Sequence, residues 1–445
     1  MLIESISGVR GTVRDDLTTS IVRDYANAFH RFCPKGDIVI GRDSRPSGSE
    51  FVSEIVQRLN ELGRTIYDCG IVPTPTVQYT VETGEAVGGI IVTASHNPSG
   101  WNGLKFVGCD GCFFSEEEVD ELMTLKGVEI KSSELPGERI VDKDAVDRHI
   151  ARVCEVAWID LYAIKNRNFR VAVDAVNGAA AVGLPKLLSI LGCEVVKLNC
   201  DPSGVFSRGT EPLPENLGEL SRIVQSRRCD VGFATDPDGD RLAVVDEKGR
   251  AIGEEYTLVL VVDSFLHCGD SFAPVVTNLS TTLAVDKVAE QCGIEVLRSA
   301  VGEINVVEMM KEHSSLIGGE GNGGVILKEV HLGRDSLVAA AAVLQRLSLT
   351  DESLGDVMSQ LPQFEIVKDK VSIEGIDGKS LFARISDEYQ DAAKDERDGL
   401  KLSWKDRWVH VRKSNTEPIL RIYAEAPTAG EAEELAQSIK SIVNG

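Results

Sequence analysis

Three carboxylates alternate within the six residues Asp236-Pro237-Asp238-Gly239-Asp240-Arg241, directly after the apolar run Val231-Gly232-Phe233-Ala234. Like charges at that spacing repel one another, and a divalent cation relieves the repulsion. Hard oxygen ligands suit Mg²⁺, which keeps positions open for water or phosphate oxygens. Pro237 and Gly239 discourage a helix that would splay the oxygens apart. Two other readings stand beside this one. A calcium loop of the EF-hand type also opens on alternating acids and needs a Glu at its twelfth position, where Glu247 falls; however, Arg241-Leu242-Ala243-Val244-Val245 reads as a strand and no flanking helices are expected. The other is a merely solvated acidic turn.

Three more loops carry chemistry-bearing groups. In Thr93-Ala94-Ser95-His96-Asn97-Pro98 a compact hydroxyl follows the buried run Gly88-Gly89-Ile90-Ile91-Val92 and precedes a proline that stops continuation. This presents Ser95 rather than packing it, although Ser, His and Asn before Pro also form ordinary turns. Gly319-Glu320-Gly321-Asn322-Gly323-Gly324 offers close backbone approach with an acid and an amide able to bind sugar hydroxyls, or a plain flexible turn. Arg412-Lys413-Ser414-Asn415-Thr416-Glu417-Pro418 gathers cations, hydroxyls and an amide between two strands, the groups that bind phosphate, or else form a surface turn with a salt bridge. Arg421, two positions past Ile419, is expected to project into the same site.

The elements that must position these loops repeat. Strands at 38–40, 64–67 and 88–92 alternate with helical patterns, and the order recurs at 170–174, 194–198 and 230–234, then at 273–277, 294–297 and 315–317. Short apolar strands alternating with helices predict parallel sheets covered on both faces, with ligand sites beyond the carboxyl ends of the strands. The Ser95, Asp236–Arg241 and Gly319–Gly324 loops stand at those ends. From about residue 366 the pattern changes to separated strands at 408–411 and 419–423 and a closing helix from Gly430, a smaller α+β domain. The expected division is 1–150, 151–252, 253–365 and 366–445.

Composition narrows the function. Lys and Arg number 47 against 70 Asp and Glu, a formal charge of −23, which opposes a broad footprint on nucleic acid or an anionic membrane. A small anionic substrate must find a local basic cluster. No apolar run reaches the roughly 18 residues that span a bilayer, and Met1–Gly11 carries no basic leader; a cytoplasmic protein is expected. Ten cysteines scattered in apolar stretches read as reduced thiols. Cys109-Asp110-Gly111-Cys112 reads as a hairpin turn, with half a zinc site or a redox pair as the alternative.

Taken together and in this order, the four loops resemble those of the α-D-phosphohexomutase family over essentially the whole chain. The resemblance implies three similar α/β domains and a smaller fourth around a central cleft. It makes Ser95 the phosphoserine, Asp236, Asp238 and Asp240 the Mg²⁺ ligands beside the serine phosphate, and Arg241 a neighbour of that phosphate. Glu320 and Asn322 match the sugar loop, and Arg412, Ser414, Asn415 and Thr416 the phosphate loop. Ser7 and Arg10 in S-G-V-R-G match the N-terminal motif that reaches the site, and Lys105 in N-G-L-K matches a proton-transfer lysine. Many relatives end the sugar loop with His where this chain has Gly324, and His331 is not assumed to replace it.

The implied activity is exchange between hexose 6-phosphate and hexose 1-phosphate through phosphorylated Ser95 and a bound hexose 1,6-bisphosphate. The opening S-I-S-G-V-R-G and the G-E-G-N-G-G loop resemble those of bacterial phosphoglucosamine mutases more than those of glucose/mannose enzymes, although archaeal-type and dual-specificity relatives carry similar loops; the resemblance implies glucosamine phosphate, with glucose or mannose phosphate as the alternative. The partner is then a small sugar phosphate, and the assembly a monomer or homodimer. A non-catalytic sugar-phosphate sensor and a simple phosphatase are the competing classes; intact Ser95 and the three aspartates argue against a silent sensor.

Overall fold

The computed structural model describes residues 2–269, 272–373, 378–413 and 419–444. The chain forms two compact units, one of residues 1–269 with 322–357, the other of residues 270–321 with 358–445.

In the first unit, a seven-stranded sheet runs in the order Ile3–Ser5, Gly8–Thr12, Trp101–Gly108, Gly88–Val92, Ile38–Arg42, Ile66–Ile71, Arg139–Val141. The last four strands are mutually parallel, whereas Trp101–Gly108 runs antiparallel to both its neighbours. Helices Thr19–Phe32 and Gly48–Glu61 bury Val22, Phe29, Phe51, Ile55 and Leu59 in a core shared with Ile38, Ile40 and Ile90. Apolar residues recurring at helical spacing on these two elements explain why that face turns inward. The Cys109–Cys112 segment is the expected tight turn: Gly108 N donates to Cys112 O (2.8 Å) and Gly111 has φ +76°.

A second, four-stranded sheet follows the order Leu242–Asp246, Val231–Thr235, Arg170–Asp174, Glu194–Leu198. Val231–Thr235 is parallel to Arg170–Asp174 but antiparallel to Leu242–Asp246. The acidic loop therefore joins two buried antiparallel strands, not two helices, which excludes the EF-hand reading. The same unit includes the hairpin Gly324–Leu327 with His331–Arg334, followed by the buried helix Ser336–Ser348, which packs on Glu255–Cys268.

In the second unit, Val275–Asn278 lies between parallel neighbours Val296–Ser299 and Ile317–Glu320. A five-stranded antiparallel sheet in the order Glu365–Ser372, Ile419–Ala426, Trp408–Lys413, Leu400–Ser403, Ala393–Asp395 is covered by helices Gly378–Glu388 and Ala429–Asn444. Among the described residues no helix is long and apolar enough to cross a membrane.

Candidate active site

Ser95 stands three residues past the buried strand Gly88–Val92 in a left-handed conformation, φ +48°, unusual for a residue with a side chain. The strain is held by contacts on both sides. Thr93 Oγ1 accepts from Ser95 N (2.9 Å) and donates to Asp43 Oδ2 (2.6 Å). Fully buried Arg45 pairs with Asp43 and donates to the carbonyls of Ser95 (2.9 Å) and Asn97. Arg10, on Gly8–Thr12, reaches Asn97 Oδ1 (3.3 Å). Ser95 Oγ lies 3.4 Å from His96 Nδ1, and that nitrogen lies 3.3 Å from Arg241 Nη2. Burial, with Arg241 and Arg10, pushes His96 down to about 3, so the imidazole is neutral at physiological pH.

The acidic loop is held from several sides. Asp238 Oδ2 accepts from Lys105 Nζ (2.8 Å) and Thr74 Oγ1 (3.0 Å); Asp240 Oδ2 accepts from Arg334 Nη2 (2.6 Å), with Lys105 Nζ 3.6 Å away; Asp236 Oδ1 accepts from Arg241 N (3.3 Å). Two helices begin at this loop. Thr74 N donates to Asp238 O (2.8 Å) and Ser336 Oγ to Gly239 O (2.7 Å), so helices Thr74–Thr83 and Ser336–Ser348 bring their partly positive ends to it. Each aspartate keeps one buried oxygen without a partner: Asp236 Oδ2, Asp238 Oδ1 and Asp240 Oδ1. Ligand atoms from all three lie within 4.8 Å of one another. That donor set fits a hard divalent cation of the Mg²⁺ type.

Charge decides the protonation of the cluster. Burial raises Asp236 well above the carboxylate range, and repulsion from Asp240 and Asp238 adds to it. Burial also opposes ionisation of Asp238 and Asp240, but Lys105 and Arg334 outweigh it and hold both below the ordinary value. Lys105 is pulled down by burial and up by Asp238 and Asp240; the carboxylates win, so the lysine is charged and paired.

The other expected residues fall as follows. Ser7 is exposed at the N-terminal hairpin turn, its amide donating to Ser5 Oγ (3.3 Å). Asn322 Oδ1 accepts from Gly324 N (3.1 Å), while Gly323 O accepts from Leu242 N (2.9 Å), fixing this end of the glycine-rich loop beside the acidic hairpin. In the second unit, Glu320 is buried and accepts from Asn278 Nδ2 (2.8 Å) and Gly302 N (3.1 Å). Arg412 pairs with Asp398 (2.8 Å) and stands opposite Arg421 in register, so the two cations share a sheet face. Ser414, Asn415 and Thr416 lie outside the described residues.

His331 is not at the aspartates. Its Nε2 lies 3.3 Å from Asp335 Oδ2, which also lies 2.7 Å from His149 Nε2, and His149 Nδ1 lies 3.0 Å from Thr76 Oγ1. Asp335 Oδ1 meanwhile caps the helix Ser336–Ser348. The triad clamps helices Thr74–Thr83 and Ala145–Cys154 to the start of that capped helix.

Asp43, Arg45, His96 and Arg334 were not among the expected site residues. Asp43 and Arg45 did leave a trace, a carboxylate and a cation two apart just past a buried strand. Arg334 left none, standing 94 positions from Asp240.

A strained serine hydroxyl, a three-carboxylate loop and buried cations make a centre suited to metal-assisted phosphoryl transfer. The chain matches phosphoglucomutase/phosphomannomutase alpha/beta/alpha domains I, II and III over residues 3–127, 147–249 and 253–364, and the C-terminal domain over 366–442. It is 34% identical to a phosphoglucomutase/phosphomannomutase of Thermococcus kodakarensis, over 96% of this chain and 95% of that one. It is 32% identical to a probable phosphoglucosamine mutase of Methanopyrus kandleri, over 98% and 96%. A crystal structure of a phosphoglucomutase/phosphomannomutase family protein from Burkholderia thailandensis shares the fold, with TM-score 0.86 at 24% identity over 99% and 98%. The chain belongs to the phosphoglucomutase/phosphomannomutase family, and its activity is that of an intramolecular phosphotransferase.

Proposed function

We propose that this chain interconverts hexose 6-phosphate and hexose 1-phosphate through phosphorylated Ser95, with glucosamine phosphate as the preferred sugar. In the first half-reaction the Ser95 Oγ–P bond breaks as a P–O bond forms to the free sugar hydroxyl, whose proton leaves to a nearby base. The bound hexose 1,6-bisphosphate then turns over and returns its other phosphate to Ser95 Oγ. A Mg²⁺ held by Asp236, Asp238 and Asp240 supplies charge compensation for the transferring group.

The chain's own residues do the rest. Arg45 and Asp43 fix the Ser95 backbone, and Arg241 and Arg10 supply positive charge. Lys105 holds Asp238 and, being charged, donates a proton to the sugar oxygen that gives up its phosphate. Neutral His96 stands beside Ser95 Oγ as an alternative acceptor. Glu320 and Asn322 bind sugar hydroxyls. Ser7 contributes from the N-terminal turn, and Arg412, Ser414, Asn415, Thr416 and Arg421 hold the non-reacting phosphate.

The observation that carries this reading is the set of three unpartnered aspartate oxygens in a loop tied through Arg241 and His96 to the Ser95 hydroxyl. Ser95→Ala is expected to fold normally by circular dichroism and lose exchange between hexose 1- and 6-phosphates; unchanged exchange refutes the covalent route. The names of the relatives support two sugars, since the Methanopyrus protein is called a glucosamine enzyme and the Thermococcus protein a glucose/mannose one. Competition among glucosamine-, glucose- and mannose-1-phosphate decides, and a clear preference for glucose or mannose refutes the amino-sugar assignment.

A further inference from the structure

Arg334 closes the strand His331–Arg334, pairs in register with Ile326, and is buried with its Nη2 on Asp240 Oδ2 at 2.6 Å. Its path is unusual. A Cβ built on Gly324 would stand 2.2 Å from Arg334 Cδ and 2.9 Å from Cγ, closer than real contacts allow. The arginine stem therefore runs through the space that any side chain at position 324 would fill, and the absence of one lets the guanidinium reach the acidic loop. Asp240 is thereby limited: Oδ2 is bonded to Arg334, with Lys105 Nζ 3.6 Å away, and Oδ1 alone is without a hydrogen bond, with Arg241 Nε 3.9 Å away.

Ligand count separates the two common hard cations. Mg²⁺ demands near-octahedral geometry and few carboxylate oxygens, whereas Ca²⁺ takes six to eight oxygens and accepts carboxylates through both. We propose that Arg334 is a positioning residue that sets the cation preference of the site, holding Asp240 to a single ligand oxygen and so favouring Mg²⁺ over Ca²⁺, and that Gly324 is the position that admits it. This rests on the cation-binding reading of the three aspartates.

The test is calorimetric titration of the full chain with Mg²⁺ and with Ca²⁺, in wild type, Arg334→Met, Gly324→Ala and the double variant. Both ions carry the same charge, so loss of the guanidinium charge acts on both affinities alike and the ratio of dissociation constants isolates ligand geometry. Outer-shell partners typically change metal affinity by about 10- to 100-fold; the Mg²⁺ preference is expected to fall about tenfold in Arg334→Met. Gly324→Ala keeps every charge and displaces the arginine stem, so it is expected to show a similar fall. The double variant is expected to fall no further, because both changes remove one contact. A ratio unchanged within twofold in either single variant, or losses that multiply in the double, overturns the proposal. If wild type binds neither ion at millimolar concentration, the cation reading itself fails, a result distinct from a wild type that binds both ions and variants that keep its ratio.

Discussion

Arg45 offers the sharpest separation of stability from chemistry in this molecule. It and Asp43 are both fully buried and paired, and the guanidinium also donates to the carbonyls of Ser95 and Asn97 while lying 5.0 Å from the centre of the Phe206 ring. Arg45→Met removes one partner of a buried ion pair, a loss of about 3–5 kcal/mol because Asp43 is left charged and uncompensated. At roughly 2–4 °C per kcal/mol for a large domain, the first unit should melt about 6–20 °C earlier. The Ser95 loop loses its donor as well, and a displacement of about 1 Å at a reacting group costs on the order of 100-fold in rate. Measured at 25 °C, where the variant remains folded, kcat for hexose phosphate exchange should fall about that much with KM nearly unchanged, since Arg45 touches loop backbone. Adding Asp43→Asn removes the stranded charge, so the double variant should recover part of the lost melting temperature and none of the lost kcat. The reasoning is refuted if Arg45→Met leaves kcat within twofold, or if the double variant regains activity together with stability.

Three further outcomes follow from other parts of the molecule. Asp335 is pushed up by burial, but His149 and His331 outweigh that and hold its carboxyl well below the ordinary range. Its contribution is therefore present above the unfolded value of about 3.9 and is lost as pH falls further; Asp335→Asn should lower the neutral-pH melting temperature, with a gap to wild type that closes below about pH 4. Buried Lys401 donates to Leu279 O (2.6 Å) and lies 4.5 Å from the Trp408 ring centre, and burial first, then Arg298, drives its ammonium well below the usual lysine value. Stability is then withheld below the unfolded value near 10.4 and recovered as pH rises toward it, so in chemical denaturation Lys401→Met should exceed wild type by about 1 kcal/mol at pH 7, an advantage that shrinks by pH 10; an advantage independent of pH refutes the assignment. Saturating Mg²⁺ at about 100 times its dissociation constant should stabilise the chain by about 2.7 kcal/mol, and Asp238→Asn should abolish that shift in differential scanning calorimetry.

Much of the site was legible because strand ends are legible. Val231–Thr235 and Gly88–Val92 are short apolar runs with every residue buried, and the polar loops after them had nowhere to go but a carboxyl edge. The strand that carries Lys105 was missed. Trp101–Gly108 holds Asn102, Gly103 and Lys105 in its interior, a composition that local preference assigns to a loop. It is a strand because Gly8–Thr12 and Gly88–Val92 pair with it on both sides, and those pairings are set by tertiary structure. Position 103 shows the constraint directly: a Cβ there would meet Val9 O at 2.4 Å and Thr93 O at 2.7 Å, so the glycine that weakened the strand signal is what allows the sheet to close.

Net charge describes the whole chain and not the local site. A chain at −23 repels nucleic acid and anionic membranes at long range, but long-range repulsion falls off within about 8–10 Å at physiological ionic strength. Inside that distance Lys105, Arg241 and Arg334 pair with the acidic loop, and half-buried Arg10 lies close enough to feel Asp238 and Asp240. These four cations meet the three loop carboxylates and Glu211, which pairs with Arg241 (3.2 Å). Clustered in low dielectric, cations at this density attract a phosphate dianion strongly and a neutral sugar hardly at all. Lys105 and Arg334 are bonded to the Oδ2 atoms of Asp238 and Asp240: unpaired, they would be costly to bury, and paired there they leave the Oδ1 atoms without a hydrogen bond, with Arg241 Nε 3.9 Å from that of Asp240. The same hydrogen bonds that make the charges affordable to the fold therefore orient the ligands for the chemistry.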